Sequence, residues 1–205
     1  MISAEKLLKE LNGFADVYKG LGAEPKFQCL VQSLKEEIAL GEQKKSGKPN
    51  RFKAALKFSK MAKKLNTSRP GIAGAYIGEA GKQYIMIAAM AVRYDNPYEG
   101  LVMAEDGTQP SLDRAIDSYD KNLKVELPSV AELKTELKLN KAEGKLNPQG
   151  RSMTQIEEAF YDTEYLINLV EAVEPEEAYF SCKGKTPGLT VIGDGAQGVL
   201  LPIRP

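Results

Sequence analysis

The chain has 205 residues, of which 42% are hydrophobic and 27% charged, a composition that can bury one good core or two small ones. Its 28 basic and 28 acidic side chains cancel, and histidine is absent. That removes the usual general base near neutral pH and the commonest metal ligand, so Ser-His-Asp, Cys-His and His-Glu zinc arrangements are excluded.

The two cysteines, Cys29 and Cys182, form no Cys-x-x-Cys pattern, which argues against a thiolate metal site. Both are expected as buried, reduced, structural thiols. No apolar run approaches bilayer length. Met1-Ile-Ser-Ala-Glu-Lys6 lacks the basic-then-apolar order of a signal peptide. A cytoplasmic protein without membrane contact is the expectation.

In chain order, Ser3 can cap a helix with Leu7, Leu8, Leu11, Phe14, Tyr18 and Leu21 at helical spacing. Gly20-Leu-Gly22 ends it, and Pro25 can start a second helix bearing Phe27, Leu30, Val31, Leu34 and Ile38. Gly41 to Asn50 reads as a polar, lysine-rich linker. A third helix is expected from about Arg51 to Leu65, broken by Asn66-Thr-Ser-Arg-Pro70. Ile72 to Ile77 and Gln83 to Arg93 then read as a hairpin around Glu79-Ala-Gly-Lys82. The second arm, Tyr84 to Val92, is continuously apolar, and periodicity leaves strand and helix both open there.

Leu101 to Ala104 is a candidate short strand before the Glu105-Asp-Gly107 turn, and Leu123 to Leu127 another. Ser129 and Glu132 have capping-box spacing for a helix carrying Val130, Leu133 and Leu137, after which Gly144 to Gly150 is loop. Thr154 to Tyr161 is expected as one strand leading into a helix from Thr163 to Val173, capped by Asp162 or Thr163. Three strands follow, Glu177 to Cys182, Leu189 to Ile192 and Gly198 to Ile203, separated by Gly184-Lys-Thr-Pro-Gly188 and Gly193-Asp-Gly195 turns. No internal repeat is clear. The order implies an α+β fold, antiparallel sheet with helices on one face.

The neutral net charge hides an asymmetry. Every charged residue from Gln43 to Arg69 is basic, whereas acids dominate from Asp95 onward. At roughly 100° per residue, Lys53, Lys57, Lys60 and Lys64 fall within an arc of about 60° on the third helix. Phe52, Ala55, Leu56, Phe58, Ala62 and Leu65 share the opposite arc. A lysine line without an interleaved acid is either a solvated face or a seat for a polyanion, and the missing glutamates favour the second.

Tyr165-Leu-Ile-Asn-Leu-Val-Glu-Ala-Val173, followed after a small meander by Gly198-Val-Leu-Leu-Pro-Ile-Arg-Pro205, resembles the end of a bacterial DNA sliding clamp (the DNA polymerase III β subunit). Such clamps carry a Tyr-Leu-Leu-Asp-Ala-Leu-like helix and a terminal Met-Pro-Val-Arg-Leu strand. Phe52 to Phe58 with Ser68-Arg-Pro70 and Ala73-Gly-Ala-Tyr-Ile77 looks like a clamp-domain opening. Pro110-Ser-Leu-Asp-Arg-Ala-Ile116 is similar to a "Pro-Asp-Tyr-x-Arg-Val-Ile" element, and Leu127-Pro-Ser-Val-Ala-Glu-Leu133 to a strand-to-helix junction of the clamp repeat. The resemblance covers about 50–205, with a finer division into two subdomains, 50–120 and 121–205, and leaves 1–42 as a helical N-terminal extension without counterpart. The chain is short for a three-domain clamp subunit. The family's Ala-Thr-Asp-Gly-His-Arg segment falls at Ile87 to Arg93, where only the alanine and Arg93 survive.

The resemblance implies a clamp-like fold, no catalytic residues, no metal and no cofactor. It implies a shortened replication processivity factor, of phage or mobile-element origin, that closes around double-stranded DNA as a homo-oligomer. Lys53, Lys57, Lys60 and Lys64, with Lys134, Lys138 and Lys141 as a second contributor, would meet the DNA backbone without reading sequence. Carried over by position, Val199, Leu201, Pro202, Ile203 and Arg204, with Arg93 beside them, would form a groove for DNA polymerase or clamp-loader peptide motifs. Read without the resemblance, Val199, Leu201 and Ile203 are simply a core or edge strand. A non-ring, protein-binding adaptor with a clamp-like fold is the alternative function. An enzyme ranks third, because Gly193-Asp-Gly195 is turn chemistry and Gly74-x-x-x-Gly78 lacks the Lys-Ser/Thr of a nucleotide loop.

Overall fold

A computed structural model describes residues 4–14, 24–45, 47, 49–66, 73–78, 81–87, 89–104, 112–181 and 187–204. The helices are α1 (Ala4–Gly13), α2 (Glu24–Lys45), α3 (Pro49–Asn66), α4 (Leu112–Asp117), α5 (Val130–Glu143) and α6 (Thr163–Val173). The strands are β1 (Gly74–Ile77), β2 (Gln83–Ile87), β3 (Met90–Tyr94), β4 (Leu123–Lys124), β5 (Met153–Ile156), β6 (Ala159–Asp162), β7 (Glu177–Ser181), β8 (Gly188–Gly193) and β9 (Ala196–Leu200). The fold is α+β with antiparallel sheets, as expected.

The main sheet has seven strands in the order β1-β2-β3-β9-β8-β7-β4, and β5-β6 is a separate hairpin. This order contains a repeat that the residues did not announce. One helix followed by a three-stranded meander occurs twice, as α3-β1-β2-β3 and as α6-β7-β8-β9. The last strands of the two units pair antiparallel at the centre, with Val92 opposite Gly198. The repeat lies in backbone topology and leaves no matching residues to find.

Strand alternation sorts side chains onto two faces. Ile85, Ile87, Met90, Val92 and Tyr94 point to one face with Phe180, Leu189, Val191 and Leu200, all in the large core beneath α3 and α6. Tyr84 and Val199 point the other way, into a second, small cluster with Ile116 of α4. The large core is closed by the apolar arc of α3, where Phe52, Ala55, Phe58 and Ala62 are each at most 1% exposed. Burying one such large side chain contributes about 1.5–3 kcal/mol. On the other half, α6 lies so close to β9 that a Cβ on Gly198 would stand 2.4 Å from Leu169 Cδ1.

The helix ends follow local chemistry. Ser129 Oγ accepts from Glu132 N at 3.3 Å and Glu132 Oε2 accepts from Ser129 N at 2.7 Å, completing the expected capping box of α5. Asp162 Oδ1 accepts from the Glu164 and Tyr165 amides at 3.0 and 3.2 Å and caps α6. At the far end of α6, buried Arg51 donates to the carbonyls of Ala172, Val173 and Asp194 at 3.3, 2.6 and 2.7 Å. One guanidinium fork thereby satisfies orphan carbonyls at a helix C-terminus and ties α3 to the β8–β9 turn.

Several expectations change. The apolar arm Tyr84 to Val92 is two strands, β2 and β3, which pair with each other, Met86 opposite Ala91. A tight reversal without a Gly-Pro signal was hidden inside a uniformly apolar run. Thr154 to Tyr161 is likewise a hairpin, turning at Glu157 with φ 52°. Leu101 to Ala104 forms no strand, although Ala104 N donates to Ala75 O at 2.9 Å along the outer edge of β1. The final strand ends at Leu200, and Ile203 forms one bridge, to Phe160.

The supposed linker from Gly41 is helical through Lys45, and Lys44 and Lys45 sit in the last turn of α2, where cations favour a helix. Cys29 is exposed on α2 rather than buried. The helix α4 had no sequence expectation. Ser3, Tyr18, the Gly20–Gly22 break, Thr67 to Pro70 of the breaker, the Glu105–Gly107 turn and Cys182 lie outside the described residues. The extension packs lightly. No residue of α1 is buried, and α2 buries Leu34 and Ala39 while Gln32 Nε2 donates to Gly100 O at 2.8 Å. No helix among the described residues is long and apolar enough to cross a membrane.

Candidate nucleic-acid interface and partner face

Because α3 turns its apolar arc onto the sheet, Lys53, Lys57, Lys60 and Lys64 all stand exposed on its outer side. Their surroundings differ. Lys57 Nζ donates to Asn168 Oδ1 of α6 at 2.9 Å, and Lys60 Nζ pairs with Glu36 of α2 at 2.8 Å. Lys53 joins Lys57 and Lys134 along a cleft of about 840 Å³ between α3, the Leu127–Val130 turn and the end of α6, where Glu171 and Glu174 also contribute.

The second group, on α5, faces acids. Lys134 pairs with Glu171 at 2.6 Å and Lys141 with Glu164 at 2.5 Å, both acids on α6, while Lys138 is exposed. The α6 helix thus presents carboxylates where α3 presents ammonium groups. Exposed pairs of this kind contribute about 0–1 kcal/mol each, so these lysines are held in place only weakly.

The sheet face opposite α3 and α6 carries two of the other predicted residues. Arg93 and Val199 share that face on neighbouring strands, Arg93 opposite Gln197 and Val199 opposite Ala91, and α4 covers both. Arg93 Nη1 donates to Asp113 Oδ1 at 2.8 Å and to Asp117 Oδ1 at 3.0 Å, and its Nη2 donates to Gln197 Oε1 at 2.9 Å. Tyr84 OH donates to Asp113 Oδ1 at 2.6 Å. The Tyr84 hydroxyl, with Arg93 adding to it, holds the Asp113 carboxyl below its usual range, while burial and Asp113 together push the Tyr84 phenol up.

From α4 the chain continues as a strap across the face. Tyr119 lies on Gly188, where a Cβ would meet its ring at 2.2 Å, and Asp120 N donates to Ser181 Oγ at 3.1 Å. Leu201, Pro202, Ile203 and Arg204 run off β9 in another direction. Leu201 N donates to Ala89 O and Ile203 N to Phe160 O, each at 2.8 Å, while the first three side chains are half-buried and Arg204 is exposed. The structure therefore groups Arg93 with Val199 and leads the tail toward the β5–β6 hairpin.

Tyr84, Asp113, Asp117 and Gln197 were missed as members of the Arg93 cluster. The spacing of Asp113, Ile116 and Asp117, three and four apart, was a visible signal of one helical turn with an acidic and an aliphatic side. Among the described residues no group of three or more Cys, Asp or Glu side chains is arranged to hold a metal ion.

A seven-stranded antiparallel sheet built from two helix-plus-meander units, with a basic helix on its covered face, is a clamp-type α+β fold. The chain is similar in structure to the DNA polymerase III β chain of Streptococcus pneumoniae TIGR4, with a TM-score of 0.51 and 11% identity over 75% of this chain and 62% of that one. It is also similar to the Helicobacter pylori β clamp in complex with diflunisal, with a TM-score of 0.45 and 8% identity over 74% of this chain and 64% of that chain. The chain thus spans less than two thirds of either protein. No protein-family model and no curated protein sequence matches it. What is shared is the clamp fold, carried by very few common residues.

Proposed function

We propose that this chain is a diverged, shortened sliding-clamp-like processivity factor for DNA replication, working by encirclement and partner capture rather than by bond chemistry. In this reading, 50–205 is the clamp-like unit, 1–42 is an added helical extension, and a homo-oligomer in the cytoplasm closes around duplex DNA. The observation that carries it is the exposed line Lys53, Lys57, Lys60 and Lys64 on the outer side of a helix in a clamp-type fold. Lys134, Lys138 and Lys141 are a second, weaker contributor, because the pairs of Lys134 and Lys141 with α6 carboxylates must open before phosphate can replace them. Polymerase or loader peptide motifs would bind near Arg93, Val199, Leu201, Pro202, Ile203 and Arg204.

The deciding measurement is retention on closed circular DNA against the same DNA linearised, with molar mass in solution alongside. A ring stays on the circle and slides off the linear form. A monomer that is lost equally from both removes encirclement. An array of peptides from the host's replicative polymerase and clamp-loader subunits tests the partner half.

A second reading, a non-ring adaptor with the same fold, is favoured by one observation. The outer side of α6 bears Glu164 and Glu171, so the basic surface is confined to one of the two repeat helices. In that case the lysine line meets an acidic protein, and molar mass stays monomeric at all concentrations.

A further inference from the structure

We infer that α4 is a built-in occupant of a recognition face on the open side of the sheet, and that this face takes partner segments of α4's own chemistry. That chemistry is one helical turn with an acid, an aliphatic residue three positions on, and a second acid next to it. This rests on the partner-binding half of the proposed function and adds the ligand class and its regulation.

The geometry is that of a ligand on a receptor. The face is made by Tyr84, Met86, Ala91, Arg93, Gln197 and Val199, on strands β2, β3 and β9. The strands that carry it are anchored from their other side, where Ile85, Val92 and Leu200 lie in the main core. Ile116 of α4, 1% exposed, fills apolar ground between Tyr84 and Val199. Asp113 and Asp117 meet the one Arg93 guanidinium from the same side, and Asp113 takes the Tyr84 hydroxyl as well. Arg93 itself is largely buried, 12% exposed, while its two acids are 49% and 56% exposed. The receptor side is thus fixed in the sheet and the ligand side is at the surface.

A buried guanidinium beside an apolar patch selects for carboxylates flanking an aliphatic group, the helix-in-groove mode of recognition reduced to one turn. Because the cis segment is tethered, it is present at high effective concentration, and any partner must compete with it. Apparent affinity is then reduced by the fraction of molecules in which α4 is seated. The face is selective by default and opens fully only to a segment that binds better than the chain's own.

The probe is a fluorescein-labelled synthetic peptide of residues 111–120, Ser-Leu-Asp-Arg-Ala-Ile-Asp-Ser-Tyr-Asp, added to the full chain. A full-length variant carrying Ile116→Ala with Asp117→Asn should bind it at least ten times more tightly than the unaltered chain, by fluorescence anisotropy. Adding Arg93→Ala should abolish that binding. Equal affinity for both, or none for a variant whose strand amides stay protected, overturns the inference.

Should the variant lose strand protection, hydrogen exchange on the unaltered chain decides. Millimolar peptide should speed exchange at residues 113–119 at least threefold and leave β3 and β9 unchanged. An unchanged 113–119 segment overturns the inference. If the peptide array yields ligands for the tail while this peptide changes nothing, the inference alone falls. If this peptide binds while the array is empty, the polymerase and loader reading alone falls.

Discussion

Asp113 and Arg93 meet at 2.8 Å across the open side of the sheet, one from a six-residue helix and the other from β3. The contact is between a side chain fixed among strands and one carried by a connection, so it holds a crossing segment to a rigid floor. Arg93→Met keeps most of the stem's packing and removes the charge. It should lower stability by about 0–1 kcal/mol for each of the two ion pairs lost, because the half-exposed carboxylates are rehydrated by water. Chemical denaturation checks this, with the midpoint moving and the slope unchanged.

The same contact predicts an acid limit. Asp113 has its pKa lowered in the folded chain, first by Tyr84 and then by Arg93. A depressed carboxyl contributes stability that is fully present above its unfolded value of about 3.9 and is lost as pH falls through the folded value. Seating of α4 should therefore be flat from neutral pH down to about 4 and weaken below it. Asp113→Asn should flatten that acid limb, as read by hydrogen exchange at residues 113–119.

Replacing Lys53, Lys57, Lys60 and Lys64 together by alanine should leave folding nearly unchanged, because all four are exposed. If all four touch phosphate, the dependence of log affinity on log salt should become shallower by roughly 0.9 for each lysine. A DNA titration across a salt series gives the slope. An unaltered slope takes the line off the DNA face.

Arg51→Ala should be far more damaging than any of those lysine changes, although it comes from the same basic run. It strips donors from three carbonyls at the end of α6 and the β8–β9 turn. A loss of about 3 kcal/mol or more is expected from leaving buried acceptors unsatisfied and a cavity behind. Thermal unfolding reads it directly.

Gly188→Ala should loosen the strap without touching the Arg93 cluster. The added methyl group would stand where the Tyr119 ring lies, 2.2 Å from its nearest atom. Faster exchange near residue 119, with the β7–β8 amides holding, is the expected result.

Much of this architecture was legible in the residues. The lysine arc of α3 was readable because an 18-residue amphipathic helix repeats its period several times. The α5 capping box and the α6 cap followed from Ser129, Glu132 and Asp162, whose side chains act within a turn of their own position. What failed was reversal inside uniform sequence. The β2–β3 turn sits in an apolar run, and the β5–β6 turn uses Glu157 in a left-handed conformation that glycine or asparagine usually signals. The Arg93 cluster failed differently. It joins residues from β2, β3, α4 and β9, and only the topology brings them together. For the same reason Lys134 and Lys141 looked like spare charge until α6 placed Glu171 and Glu164 opposite them.

The strand latest in chain order, β9, lies in the middle of the sheet, flanked by β3 and β8. During synthesis the β3 flank must therefore wait, with its main-chain amides unmatched, until everything from Asp95 to Gly195 has left the ribosome. Assembly of the sheet is then a late, all-at-once closure rather than a stepwise accretion. A nascent chain arrested before Ala196 would display two sticky half-sheets, a natural substrate for chaperones.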